Sequence, residues 1–405
     1  MAIRRLVVAT IAALIVACPA AAAPPRPPAI DAPAGILIDV GTGDALASRD
    51  VRARRQIAST TKLMTALLAL ERADLDETFT APAYDAAPVE SKIDLEEGER
   101  MTVRDLLAAL LLESANDAAA TIAEGVSASQ SRFVAAMNRR ARELGLRDTH
   151  YANPIGFDDP RNYSSARDLA TLAAHLLRDP TFAQMVDRPR AVLDSGARRR
   201  VVENRNRLVA DRPAVDGVKT GHTGGAGYVL VGAATERDAG VVSVVLGAAS
   251  EDGRDRVTRT LLDYGMDQFR RKPVLRAGQQ IATADVPHDG GRDAALTTPE
   301  DVSVTVRRGG GGVETRLSAP AELDGPLPAS GRVGSVEIVY AGKVVERAPL
   351  VTAGAIPAPD AIDRARSAAG APLTWVVAFA IVLVVALALI GFRSGPRRRR
   401  GARST

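Results

Sequence analysis

The chain has 405 residues, 46% of them hydrophobic and 25% charged, enough for one large core and a smaller one. Aromatic residues make up only 3%, so any core has to be assembled from Ala, Val, Leu and Ile. The formal charge of +4 comes from the two ends, Arg4 and Arg5 in front and Arg393, Arg397, Arg398, Arg399, Arg400 and Arg403 behind; the part between is net acidic, which argues against a nucleic-acid surface.

Residues 1–23 carry a basic start, an apolar run from Leu6 to Ala17 and the small residues Ala20 to Ala23 ahead of Pro24, the layout of a secretory signal peptide. The only cysteine, Cys18, ends an Ile15-Val16-Ala17-Cys18 run that also looks like a bacterial lipoprotein cleavage box. The plain signal is the reading taken, because Pro19 follows Cys18 directly and a second anchor exists. With one cysteine there is no disulfide framework and no catalytic thiol. After a Pro-rich leader, Gly35 to Asp39 and Ala45 to Ala47 flank Gly41-Thr42-Gly43 and read as a β-hairpin. Apolar residues at helical spacing then predict helices over Ser59–Ala73, Thr102–Leu112, Ala118–Glu124, Gln130–Leu144, Ser165–Leu177 and Arg254–Phe269. Strands are predicted over Ala214–Val218, Gly227–Ala234 and Gly240–Gly247, giving an antiparallel sheet between helices, an α/β class. From about Pro273 to Val351 short β runs such as Val302–Val306 and Val336–Tyr340 predict a small all-β domain. An Ala- and Pro-rich linker follows, and then Leu373–Phe392, uncharged and apolar. At ~1.5 Å per residue this run spans roughly the 30 Å of a bilayer core. The arginines behind it place the tail in the cytoplasm and the body outside.

Three short motifs carry chemistry. Ser59-Thr60-Thr61-Lys62 opens a helix, so the i, i+3 spacing puts both side chains on one face, where a neutral Lys62 amine can take the Ser59 proton. Ser114-Ala115-Asn116 offers a hydroxyl to relay a proton and an amide to hold a carbonyl. Lys219-Thr220-Gly221-His222, at the end of a strand, offers an ammonium and a hydroxyl to a carboxylate, and Gly221 lets another backbone lie alongside. Each motif alone is weak. Lysine is scarce, however: Lys62, Lys92, Lys219, Lys272 and Lys343 are all there are among 52 Lys and Arg, and two of them fall in these motifs. Arginine cannot supply a neutral amine, so the retained lysines mark positions where deprotonation or a compact charge is needed. The histidines His150, His175, His222 and His288 lack metal-ligand spacing, so no metal and no cofactor is expected.

The order Ser-x-x-Lys, Ser-x-Asn, Lys-Thr-Gly is shared by penicillin-binding proteins and class A β-lactamases. Together with Asn153-Pro154-Ile155-Gly156, Tyr163 to Asp168, Asn204-Arg205-Asn206 and Val215 to Thr223, it makes residues 34–357 resemble the low-molecular-mass D-alanyl-D-alanine carboxypeptidases. That resemblance implies a DD-peptidase/β-lactamase-like catalytic domain over 34–271 and a small β domain over 273–351; composition, hydropathy and charge add a linker over 352–372, a transmembrane helix over 373–392 and a basic tail over 393–405. The resemblance also implies Ser59 as nucleophile, Lys62 as base, Ser114 as proton relay, and the N–H groups of Ser59 and His222 as oxyanion hole. Asn116 would bind the peptide amide, and Lys219, Thr220 and Arg254 the terminal carboxylate. Asp168 and Arg205 would pair beside the site. Expected partners are a peptidoglycan stem peptide ending in D-Ala-D-Ala, β-lactam antibiotics and the cytoplasmic membrane. A β-lactamase, a DD-endopeptidase or transpeptidase, and a β-lactam sensor stay open as alternatives. Two departures stand out: Ala115 where many members have Gly, and a full apolar span where well-known members carry an amphipathic helix.

Overall fold

The computed structural model describes residues 26–236, 239–287 and 292–360. The expected signal segment with Cys18, His288, most of the linker, the apolar run 373–392 and the basic tail lie outside the described residues. Among the described residues no helix is long and apolar enough to cross a membrane. The chain divides into two compact units, Met1–Arg270 with Arg307–Gly309, and Arg271–Val306 with 310 onward.

The first unit is built on an antiparallel five-stranded sheet. Its strands are β1 (Ala34–Asp39), β2 (Ala45–Arg49), β3 (Val215–Thr223), β4 (Gly227–Glu236) and β5 (Ala239–Ala248), in the spatial order β2-β1-β5-β4-β3. Asp39 Oδ1 accepts from Gly41 N at 2.8 Å and shapes the expected first hairpin. Both faces of the central strands are covered. Ile36, Ile38, Val242, Val244 and Leu246 join one core cluster, while Leu37, Val241 and Val245 join another on the opposite side. A strand buried on both faces reads as a continuous apolar run, which is why β5 is so rich in valine.

The helical side holds α1 (Lys62–Arg72), α2 (Val103–Ala108), α3 (Asn116–Ser127), α4 (Gln130–Glu143) and α5 (Ala166–Leu176). Helix α6 (Glu251–Asp267) covers the opposite face through Val257, Leu261 and Leu262. Helix α1 is buried almost all round, with Leu63, Met64, Ala66, Leu68 and Ala69 wholly inaccessible, so it runs through the core as the axis of the helical side. The boundaries differ from the predicted ones where caps intervene. Helix α6 begins three residues before Arg254, because Ser250 Oγ accepts from Gly253 N at 3.1 Å. The predicted helix from Ser59 starts instead as a tight turn over Ala58–Thr61, entered with Ala58 at φ 46° and stapled by Thr60 Oγ1 to Ile57 O at 2.7 Å. Two short helices escaped the periodicity, Pro180–Val186 and Arg207–Asp211, each capped by an Asp or Asn and too short for a pattern to register.

The second unit holds another antiparallel five-stranded sheet, from β6 (Ala282–Val286), β7 (Arg292–Thr297), β8 (Val313–Ser318), β9 (Arg332–Tyr340) and β10 (Lys343–Thr352), ordered β6-β7-β10-β9-β8. Its core is aliphatic, with Leu296, Val336, Ile338 and Leu350 wholly buried. The run Val302–Arg307 alternates buried and half-buried residues, the period of two that the sequence displays.

Candidate active site

Three elements converge on Ser59. The turn Ala58–Thr61 presents it at the start of α1, Ser114 and Asn116 come from the junction of α2 and α3, and Lys219, Thr220 and Gly221 lie on β3. The last motif was expected at a strand's end, but β3 continues five residues past Val218 and carries it inside the ladder, Thr220 opposite Leu230 and Gly221 opposite Val229. Strand β3 is also the edge of the sheet, so its outer side is available to an extended chain.

Glycine lets these elements close up. A Cβ on Gly221 would stand 2.9 Å from Ser59 N, and one on Gly156 would collide with Ala58 O. Gly156 also holds φ at 102°, a region where side chains are strained. Asn153 Oδ1 accepts from Gly156 N at 2.6 Å and so fixes this loop.

Lys62 is wholly buried, with three polar partners. Its Nζ lies 3.0 Å from Ser59 Oγ, 2.7 Å from Asn116 Oδ1 and 2.8 Å from Ile155 O. Burial drives its pKa well below the ordinary lysine value, and the Lys219 ammonium adds to the effect. A neutral amine has two N–H donors and one lone pair. Asn116 Oδ1 and Ile155 O can only accept, so they take the two donors and the lone pair is left for the Ser59 hydroxyl. The arrangement can therefore accept the Ser59 proton.

Ser114 is 4% exposed and sits in the left-handed region at φ 64°. It gets there because α2 widens into a turn over Ala109–Glu113 before the chain reverses into α3. Lys219 is buried too, its Nζ donating to Thr220 O at 3.1 Å. Burial, with Arg205 and Arg254 nearby, lowers its pKa to about 7. His222 is exposed and stacks on Tyr228, ring centroids 4.0 Å apart. Ser59, Ser114, Thr220, His222 and Arg254 line one cleft of about 620 Å³, behind whose wall Lys62, Asn116 and Lys219 are buried. Arg254 is only 3% exposed, and Asp255 Oδ1 at 2.8 Å and Glu251 Oε1 at 3.1 Å hold its guanidinium.

The expected Asp168–Arg205 pair is not made. Asp168 Oδ2 accepts from Asp148 N and from Thr149 Oγ1, both at 2.7 Å, inside the helical side. Arg205 instead binds Glu113, with Nε 2.9 Å from its carbonyl and 3.0 Å from its carboxylate, bracing the residue before Ser114. Proximity of family segments in sequence does not fix which charges meet once two loops fold. Sequence reading also passed over Glu90, which accepts from Asn116 Nδ2 at 2.7 Å. No spacing could signal it, since the two lie 26 residues apart across an irregular loop. Among the described residues no cluster of His, Cys, Asp and Glu could hold a metal ion.

The family profile described as D-alanyl-D-alanine carboxypeptidase matches residues 20–250, and that of the penicillin-binding protein 5 C-terminal domain matches residues 269–358. The chain is 34% identical over 350 residues to the D-alanyl-D-alanine carboxypeptidase DacA of Escherichia coli K12, covering 82% of this chain and 85% of the relative. It is 31% identical over 328 residues to DacF of Bacillus subtilis, a D-alanyl-D-alanine carboxypeptidase, covering 79% and 84%. Penicillin binding protein 5 of Haemophilus influenzae superposes with a TM-score of 0.57 at 30% identity, over 82% of this chain and 99% of that one.

Proposed function

The chain belongs to the D-alanyl-D-alanine carboxypeptidase family of serine peptidases, and from that premise we propose how its residues divide the reaction. It is a serine-type D-Ala-D-Ala carboxypeptidase, which removes the terminal D-Ala of peptidoglycan stem peptides through an acyl-enzyme. In our assignment Ser59 Oγ attacks the carbonyl of the penultimate D-Ala and its proton passes to the Lys62 lone pair. Ser114 then hands a proton to the departing D-Ala amine and takes back the proton that Lys62 received, so that the Lys62 amine is neutral again. The N–H groups of Ser59 and His222 receive the oxyanion. Asn116 keeps one N–H and one lone pair beyond its bonds to Glu90 and Lys62, and these meet the peptide amide. Lys219, Thr220 and Arg254 receive the terminal carboxylate. Water releases the shortened peptide and restores Ser59. A β-lactam carbonyl meets the same nucleophile and leaves Ser59 acylated.

The observation that carries this assignment is the Lys62 amine, wholly buried and 3.0 Å from Ser59 Oγ. The test is release of D-Ala from a pentapeptide ending in D-Ala-D-Ala by the purified protein. Ser59→Ala is expected to abolish labelling by fluorescent penicillin and to lower peptidase activity roughly 10⁴- to 10⁶-fold. Labelling that persists and maps to another serine would overturn the assignment.

The proposal extends to location. The signal-like segment over 1–23 and the apolar run Leu373–Phe392 with its trailing arginines support a single-pass protein, its catalytic body outside the cytoplasmic membrane and its tail inside.

A further inference from the structure

Glu90 lies outside the catalytic set, in the long loop between the short strands Thr78–Thr80 and Arg100–Thr102. The turn it closes is self-contained: Glu90 N donates to Ala87 O at 3.0 Å, and Ala87 N donates to Glu90 Oε1 at 2.9 Å. The other oxygen, Oε2, accepts from Tyr84 OH at 2.6 Å and from Asn116 Nδ2 at 2.7 Å. Partial burial works to raise the Glu90 pKa, but the hydrogen bonds from Tyr84, Asn116 and Ala87 outweigh it and hold the group below the usual carboxylate range. Glu90 is thus an ionised, accept-only group.

An accept-only partner dictates the orientation of an amide. With Glu90 on one side, Asn116 must point its NH₂ there and turn Oδ1 toward Lys62, as it does at 2.7 Å. Were the amide reversed, its NH₂ would face Lys62 and occupy the lone pair that Ser59 needs. The rest of the loop does not depend on Glu90, because Asp117 accepts from Ile93 N and Leu95 N, and Asn116 N donates to Ser91 O at 2.8 Å.

We propose that Glu90 is a positioning residue of the acylation step: it sets the face of the Asn116 amide and thereby aims the Lys62 lone pair at Ser59. The inference rests on Lys62 as base and Ser59 as nucleophile. The groups that act on the Lys62 charge are Lys219 on β3 and Arg205 ahead of it, which oppose the ammonium, and Glu90 with Asp117 on α3, which favour it. Removing the Glu90 charge therefore makes Lys62 easier to deprotonate even as its aim is lost.

The test measures the second-order rate of acylation by a fluorescent penicillin against pH for wild type, Glu90→Gln, Glu90→Asp and Ser59→Ala, with thermal melts on each. The amide introduced by Glu90→Gln can turn its own NH₂ toward Asn116 and permit the flip, so this variant is expected to slow acylation about 10- to 100-fold, move the acid limb to lower pH and melt near wild type. Glu90→Asp keeps the charge with a shorter reach, so its acid limb stays in place and its rate lies between the two. A Glu90→Gln protein that acylates at the wild-type rate with its acid limb unmoved would overturn the proposal. So would equal rate losses in both variants with an unmoved limb and a lowered melting temperature, or a Glu90→Gln protein that fails to fold, since these mark a structural role. Persistent acylation of Ser59→Ala would instead remove the underlying assignment.

Discussion

In the proposed reaction the Lys62 amine has to be neutral to take a proton, whereas the Lys219 amine has to be charged to attract a carboxylate. Both are buried, and burial pushes the first well below its ordinary value and the second to about 7. Activity on a free-acid peptide should therefore rise with pH as Lys62 loses its proton and fall as Lys219 does. The base limb of kcat/KM is expected near pH 7, and that of kcat at higher pH, because a bound carboxylate stabilises the ammonium. Lys219→Arg should remove the base limb, since a guanidinium keeps its charge; a limb that stays would belong to another group. Lys62→Arg should be nearly as damaging as loss of Ser59, for the same reason in reverse. Near-normal acylation in Lys62→Arg would place the base elsewhere. Arg254→Ala should cut kcat/KM for a free-acid peptide by ~10- to 100-fold and add little to the poor turnover of the amidated peptide. Equal losses on both peptides would mean that Arg254, gripped by Asp255 and Glu251, supports α6 rather than reads the substrate.

At the scale of elements, the site depends on backbones packed closer than side chains allow. Gly156→Ala would drive a methyl into Ala58 O at a position already at φ 102°, so the loop or the Ser59 turn has to move. We expect a loss of about 1 to 3 kcal/mol in stability and a clear drop in acylation rate, read by denaturant unfolding and penicillin labelling. Unchanged values in both would mean the loop yields freely. The hairpin Arg190–Leu193 with Arg200–Glu203 is tied to the long loop by a buried pair, Arg200 Nη1 to Glu99 Oε1 at 2.7 Å and Nη2 to Oε2 at 2.9 Å. The hydrogen bonds from Arg200, working against burial, hold the Glu99 pKa at about 2 in place of 4.5. A depressed carboxylate contributes stability above its unfolded pKa, so this contribution is present at neutral pH and is lost as pH falls from about 4.5 toward about 2. Glu99→Gln should cost about 3 kcal/mol at neutral pH, as breaking a buried pair does, and flatten that acid dependence. An unfolding curve that keeps the wild-type slope would assign the acid loss to other carboxylates.

For the whole molecule, the sequence divides into a first unit bearing every candidate site residue and a second, smaller β unit, with the segments proposed for export and anchoring beyond the described residues. A chain cut before Ala371 is expected in the soluble fraction, still labelled by penicillin. If it stays with the membrane and leaves only when Cys18→Ser is added, lipidation at Cys18 is the anchor instead of the apolar run.

What the sequence determined by itself was whatever rests on local spacing. The i, i+3 pairing of Ser59 with Lys62, the period-two runs of the second unit and the helices long enough to repeat their pattern are all fixed within a few residues of chain. The scarcity of lysine pointed to Lys62 and Lys219 on the same footing, through side-chain chemistry alone. Tertiary structure decided what depends on residues distant in sequence. It placed Lys219 inside an edge strand, turned Arg205 to Glu113 and Asp168 to Thr149, and brought Glu90 against Asn116. These pairings follow from which donors remain unsatisfied when loops are buried together, and a buried polar group takes whichever partner the packing leaves within reach. No periodicity records that choice, because it is made between elements and not along one.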